Sequence, residues 1–219
     1  LYGATSPGNS FLHPRDMDPA GKYKGYLASS LMPLSRTQEG GALMFIDAAR
    51  YSEQNTPANT TVPAQGGQRQ ITAQELNMGG GLSLYGRVTA PYPLWDGSDR
   101  VLVAYRPCEV TKNGRVVACA TLTPEEIASV GDEDRMESAD DPIQNNAPAA
   151  YAIYMYDPAQ QTWLNVASPP PGSMYTDPVA LQARAEPFAA EPTQIDAEAA
   201  TTLATAVQAL WQHVFGAYH

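Results

Sequence analysis

The sequence predicts an all-β chain, a partial β-propeller or a set of open antiparallel sheets of about two blades, with a C-terminal α-helix. Three observations predict it. The 19 prolines and 17 glycines stand against only four phenylalanines, the profile of many short elements joined by turns. An alternating apolar strand runs into an aspartate and a turn twice, as ALMFIDAA (42–49) and as YAIYMYDPAQQTWLNV (151–166). Such hairpins are the building units of propeller blades. Each is preceded by a turn-then-strand phrase, HPRDMDPAGKYKGYLAS (13–29) and APYPLWDGSDRVLVAYR (90–106). The chain therefore reads as roughly two copies of one β unit.

In chain order, the first dozen residues are turn-rich and are expected to be irregular. A short strand is expected over 24–29, a polar loop over 36–41 and a strand over 42–46. Residues 52–68 (SEQNTPANTTVPAQGGQ) hold few large apolar side chains and read as a surface insertion, with a closing strand at 69–72. Asn59-Thr60-Thr61 matches the N-glycosylation pattern, which matters only in a host that glycosylates. Gly79-Gly80-Gly81 opens the second unit; it lacks the lysine and helix start of a phosphate loop and reads as a turn. Further strands are expected at 101–105, 109–112, 115–120, 150–156 and 162–166.

Thr123-Pro124-Glu125-Glu126 combines a capping threonine, a proline at the first helical position and a glutamate three after the cap, so a short helix starts there. It leads into GDEDRMESADD (131–141). Hard cations such as calcium take oxygen ligands, but this run lacks the alternating spacing and central glycine of a calcium loop and reads as a solvated acidic loop. Residues 123–148 form an acidic insertion within a propeller-like β domain over 1–187. A proline-rich linker and a terminal helix fill 188–219. In that helix Leu203, Val207, Leu210 and Val214 recur at spacings of four, three and four, with Trp211 and Phe215 alongside, which gives one apolar face. The face either packs on its own β domain or docks on another subunit.

Cys108 and Cys119 flank an Asn113-Gly114 pair, a two-residue hairpin signal because both positions tolerate positive φ. Folding there sets the cysteines opposite each other at a hydrogen-bonded position, with Cα atoms about 5.5 Å apart. A disulfide is expected, the alternative being two buried thiols, and it implies a periplasmic or extracellular compartment. A net charge of −10 and a pI near 4.6 argue against nucleic acid, whose affinity starts from clustered Lys and Arg. No apolar run reaches the roughly 18–20 residues of a membrane span. The chain starts at Leu1, so processing or cutting from a longer parent is expected.

No catalytic or metal constellation stands out. Of the three histidines, His213 and His219 lie six apart with no cysteine or carboxylate beside them at ligand spacing, and His13 precedes Pro14 in a turn and reads as a surface or hydrogen-bonded residue. No glycine-flanked nucleophilic serine and no Cys-His pair appears, and without Cys-x-x-Cys-His no c-type haem is attached. No cofactor is expected in this chain. Tyr151, Tyr154, Tyr156 and Trp163 share one hairpin and are candidates for a recognition surface, the alternative being ordinary core packing.

The phrases APYPLWDGSDRVLVAYRPC (90–108), AYAIYMYDPAQQTW (150–163) and MYTDPVALQARAEP (174–187) resemble secreted β-propeller proteins related to the hydrazine synthase alpha subunit. HPRDMDPAGKYKGYLAS resembles the repeat starts of the same proteins and of TolB-like propellers. The resemblance implies an exported propeller, in that family often joined to haem-bearing domains, and it carries over no catalytic residue.

A closed propeller needs about four to eight blades, and two would leave unpaired edges. The sheets are thus expected to be completed by other protein chains: the remainder of a longer parent, a second copy or a larger complex. The expected function is a non-catalytic structural or interaction subunit of an exported assembly. The alternatives are the propeller portion of a redox complex whose haems lie on other chains, and a sugar- or peptide-binding module.

Overall fold

The computed structural model describes residues 9–33, 40–53, 56–77, 82–130, 141–145, 147–148 and 150–182. The chain divides into two compact units, Leu1–Gln182 and Ala183–His219. The second unit lies outside the described residues, and with it the expected helix and its docking residues Leu203, Val207, Leu210, Trp211, Val214 and Phe215. Gly79-Gly80-Gly81 and residues 131–140 of the acidic run also lie outside them.

The described part is all-β, built around two four-stranded antiparallel sheets that do not close into a barrel. The first sheet holds β1 (Asn9–Asp16), β2 (Leu27–Pro33), β3 (Ala42–Ile46) and β6 (Gln68–Gln70), in that order. Between β3 and β6 the short pair β4 (Tyr51–Glu53) and β5 (Thr56–Pro57) makes an excursion. The second sheet holds β7 (Arg87–Pro93), β8 (Val101–Arg106), β12 (Ala152–Asp157) and β13 (Thr162–Ala167), again in chain order across the sheet. Its excursion follows β8 and contains β9 (Glu109–Lys112), β10 (Arg115–Ala118), a 3-10 turn (Cys119–Thr121), helix α1 (Pro124–Ser129) and β11 (Ile143–Gln144).

The two sheets match strand for strand and residue for residue. Asp16, Leu27, Ile46 and Gln68 lie side by side across the first. Pro93, Val101, Tyr156 and Trp163 form the same row in the second. Leading strands β1 and β7 carry a bulge at the same place, between Leu12 and Arg15 and between Thr89 and Tyr92. In each bulge the residue before a proline has positive φ, 52° at His13 and 48° at Ala90. A bulge absorbs the proline, which cannot donate to the ladder, and increases the local twist.

The strand-ending aspartates also repeat. Asp47 accepts the Arg50 N–H at 3.2 Å and its Nε at 2.6 Å. Asp157 accepts the N–H groups of Ala159 and Gln160 at 2.9 and 3.0 Å. Each carboxylate closes the turn after its strand, which is why aspartate suits that position.

The sheets share one core, in which Leu43, Phe45, Val88, Val101, Val103 and Tyr156 are all buried. Tyr23, in the β1–β2 loop, meets Phe45 edge-on at 4.8 Å between ring centres, a favoured aromatic arrangement. The Tyr156 hydroxyl donates to the Ile71 carbonyl at 2.9 Å. Gly41 and Val88 exchange backbone hydrogen bonds of 2.9 and 2.8 Å between the sheets. The two hairpin loops also exchange carboxylates. Asp18 of the first accepts the Gly97 N–H at 2.8 Å, while Asp99 of the second accepts those of Lys22 and Tyr23 at 2.8 and 3.4 Å. Gly21 must be glycine, because a Cβ there would run into the Asp99 carboxylate.

The cysteine pair forms a disulfide, with Cα atoms 5.4 Å apart. The β9–β10 register runs unbroken from the Asn113-Gly114 turn to Ala118 opposite Glu109, and the Cys119 N–H donates to the Cys108 carbonyl at 2.9 Å. This is the hydrogen-bonded pairing that the turn dictates. The strand ends earlier than expected, since Cys119 enters the 3-10 turn. Helix α1 starts where its capping box lies: the Thr123 hydroxyl accepts from the Glu126 N–H and the Glu126 carboxylate accepts from the Thr123 N–H. Two expectations need correction. The chain start is not irregular throughout, because β1 begins at Asn9, and the strand expected at 24–29 is displaced to Leu27–Pro33. The loop before it is held by Asp99 rather than by a ladder.

Candidate interaction face

Alternation along β8, β12 and β13 sends Val101, Val103 and Tyr156 into the shared core and Leu102, Met155 and Leu164 to the opposite side. Those three lie in one cross-strand row. By register they are the counterparts of Ala28, Phe45 and Arg69 in the first sheet. There Ala28 and Phe45 are fully buried in the core that the second sheet completes. In the second sheet the corresponding row is open: Leu164 is 57% exposed and neighbouring Val166 53%, with Leu102, Ile153 and Met155 half-buried.

The segment after β13 returns along this sheet. The Tyr175 N–H donates to the Tyr151 carbonyl at 2.9 Å, and the Tyr92 hydroxyl donates to the Ala180 carbonyl at 3.4 Å. Gln182 brackets the start of the β7–β8 loop, accepting from the Trp95 N–H at 3.0 Å and donating to the Pro93 carbonyl at 3.4 Å. Its apolar side chains Met174, Val179 and Leu181 are themselves exposed.

The four aromatic candidates separate. Tyr151 and Tyr156 are buried, at 2% and 0% exposure, and their role is packing; this corrects the expectation that they present a recognition surface. Tyr154 and Trp163 are half-buried and join Tyr105 at the margin of the core. Ring centres are 5.0 Å apart for Tyr105 and Tyr154, 5.1 Å for Tyr105 and Trp163, and 4.5 Å for Tyr156 and Trp163. Burial, with a smaller contribution from Tyr154, raises the Tyr105 phenol above its ordinary range. Burial likewise raises Tyr156.

Sequence reasoning passed over a hollow beside the disulfide. Its lining includes Ser83, Arg87, Arg106, Cys108, Glu109 and Asn145, and its volume is about 20 Å³. Arg87 and Arg106 are both buried, and Arg106 Nη2 donates to the Ala147 carbonyl at 2.9 Å. A hollow of this size holds about one water, far short of the roughly 300–1,000 Å³ of a substrate pocket. Arg106 therefore reads as a tie between the second sheet and the segment that leads back from its excursion. Among the described residues no cluster of His, Cys, Asp and Glu could hold a metal ion. His13 sits 3.6 Å from Asp177 at an exposed position. No helix among the described residues is long and apolar enough to cross a membrane.

Compared with protein-family models, curated proteins and solved structures, the chain has no significant match.

Proposed function

We propose that the protein is a non-catalytic interaction subunit of an exported assembly, a stack of two repeat sheets whose outer face receives a further sheet from another chain. One observation carries this reading. Leu102 and Met155 occupy the register of Ala28 and Phe45, which are fully buried in the shared core of the first sheet, whereas Leu102 and Met155 are only half-buried in the second. The repeat thus supplies its own precedent for what covers the face. Two four-stranded meanders stacked in sequence also keep the β-propeller reading, including kinship with the hydrazine synthase alpha-related proteins, as the proposed architecture of the completed assembly. The Cys108–Cys119 disulfide supports a periplasmic or extracellular site, since reducing compartments do not keep such bonds.

Native purification followed by mass spectrometry and light scattering tests the proposal. The wild-type chain is expected to bring down a protein that Leu102→Glu no longer holds, with the melting transition of the variant still cooperative. A monodisperse monomer that brings nothing down removes the reading.

A further inference from the structure

The two sheets end differently. In the first, the last strand is β6, three residues long, with Arg69 at its centre; shortness and charge blunt an edge against pairing with other chains. In the second, β13 runs for six residues with neither a charged side chain nor a proline. Among the described residues it is the outermost strand of its sheet. Thr162 to Leu164 pair in unbroken register with Asp157 to Met155, and Asn165 follows opposite Tyr154 before the bulge. Along an edge strand, alternate N–H and C=O groups point away from the sheet, a template for another strand.

We infer that the outer edge of β13 pairs with the β13 of a second copy of this chain, the strands running antiparallel about a two-fold axis. The inference deepens the interaction-subunit reading and rests on it. Charge limits where a second copy can sit. The chain carries −10, so two copies repel wherever their carboxylate-rich surfaces meet. Thr162–Ala167 is a neutral strip, and self-pairing sets neutral residues against neutral residues. A two-fold contact is also self-complementary and closes on itself, so two edges are satisfied at once and growth stops at the dimer. The Leu164 and Val166 side chains of both copies would then extend one continuous apolar face.

Sedimentation equilibrium and amide hydrogen exchange on the intact chain test this. The expected result is a monomer–dimer equilibrium that tightens as salt is added, because screening removes the like-charge repulsion. Slower exchange at high protein concentration should be confined to residues 162–167. Asn165→Lys places like charges near the axis and should weaken the dimer about tenfold or more. Val116→Lys, on the exposed β10, should leave it unchanged. A chain that stays monomeric at every concentration overturns the inference, as does a dimer that Asn165→Lys leaves intact or that shows no protection in β13. The broader reading is judged separately, by whether a natively recovered partner depends on Leu102, which lies on the other side of β12 from that edge.

Discussion

The first sheet and the second are one design in two states of completion. Both are four-stranded meanders with a bulged leading strand and an aspartate-closed hairpin. The first buries Ala28 and Phe45 completely, and the second leaves their counterparts Leu102 and Met155 only half-buried. The same pattern of strands therefore buries a side chain in one sheet and leaves its counterpart partly open in the other, according to whether a neighbouring sheet is present.

The largest effect should come from truncating the covered row. Phe45→Ala should destabilise the protein by about 3–5 kcal/mol in denaturant unfolding, whereas Met155→Ala at the matching position should cost about 1 kcal/mol or less, because less of it leaves water on folding. Equal losses would end the comparison. Next comes the staple that only the excursion of the second sheet carries. Replacing both Cys108 and Cys119 by serine should cost about 2–4 kcal/mol, read as a lower denaturation midpoint that reductant reproduces in the wild type. Smaller still is Tyr156→Phe, which removes the hydroxyl that reaches from the second sheet to Ile71. It should cost about 1–2 kcal/mol, and a neutral result would show that the core alone joins the sheets there.

The smallest effects are those of pH, and they fall in the second sheet, its hairpin loop and its excursion. Ser98, with help from Arg100, holds Asp96 below the usual carboxylate range, and Lys112, with the Thr123 N–H, does the same for Glu126. A depressed carboxylate stabilises the fold above its unfolded pKa, and that contribution disappears as pH falls through the folded value. Stability should therefore decline on acidification, and Glu126→Gln should flatten part of the slope. Tyr105 and Tyr156 are raised, so their contribution is complete below the ordinary phenol pKa and is lost as pH rises through the folded values. Ultraviolet titration of the phenols should show two that ionise late.

Much of this fold is legible in the sequence where local signals agree. The Asn113-Gly114 turn sets the cysteine pairing, Thr123-Pro124 starts α1, and Asp47 and Asp157 close their hairpins. Leading strands β1 and β7 are harder to read, because Pro14 and Pro91 argue against a strand until a bulge accommodates them. The aromatic hairpin fails for a different reason. Tyr154 and Tyr156 point to the same side of β12, and only Tyr156 is fully covered. No periodicity distinguishes them, since the difference lies in where the first sheet ends. The open row is likewise invisible until the two registers are aligned.

The exchange of Asp18 and Asp99 between the hairpin loops has a consequence for how the described β domain comes apart. Each carboxylate holds backbone N–H groups of the other hairpin loop, across 76 to 79 positions of the chain. Both sets of bonds are lost once the sheets part. The pair should melt as one calorimetric transition rather than two, and a protease should find no halfway species in which one meander survives while the other is digested.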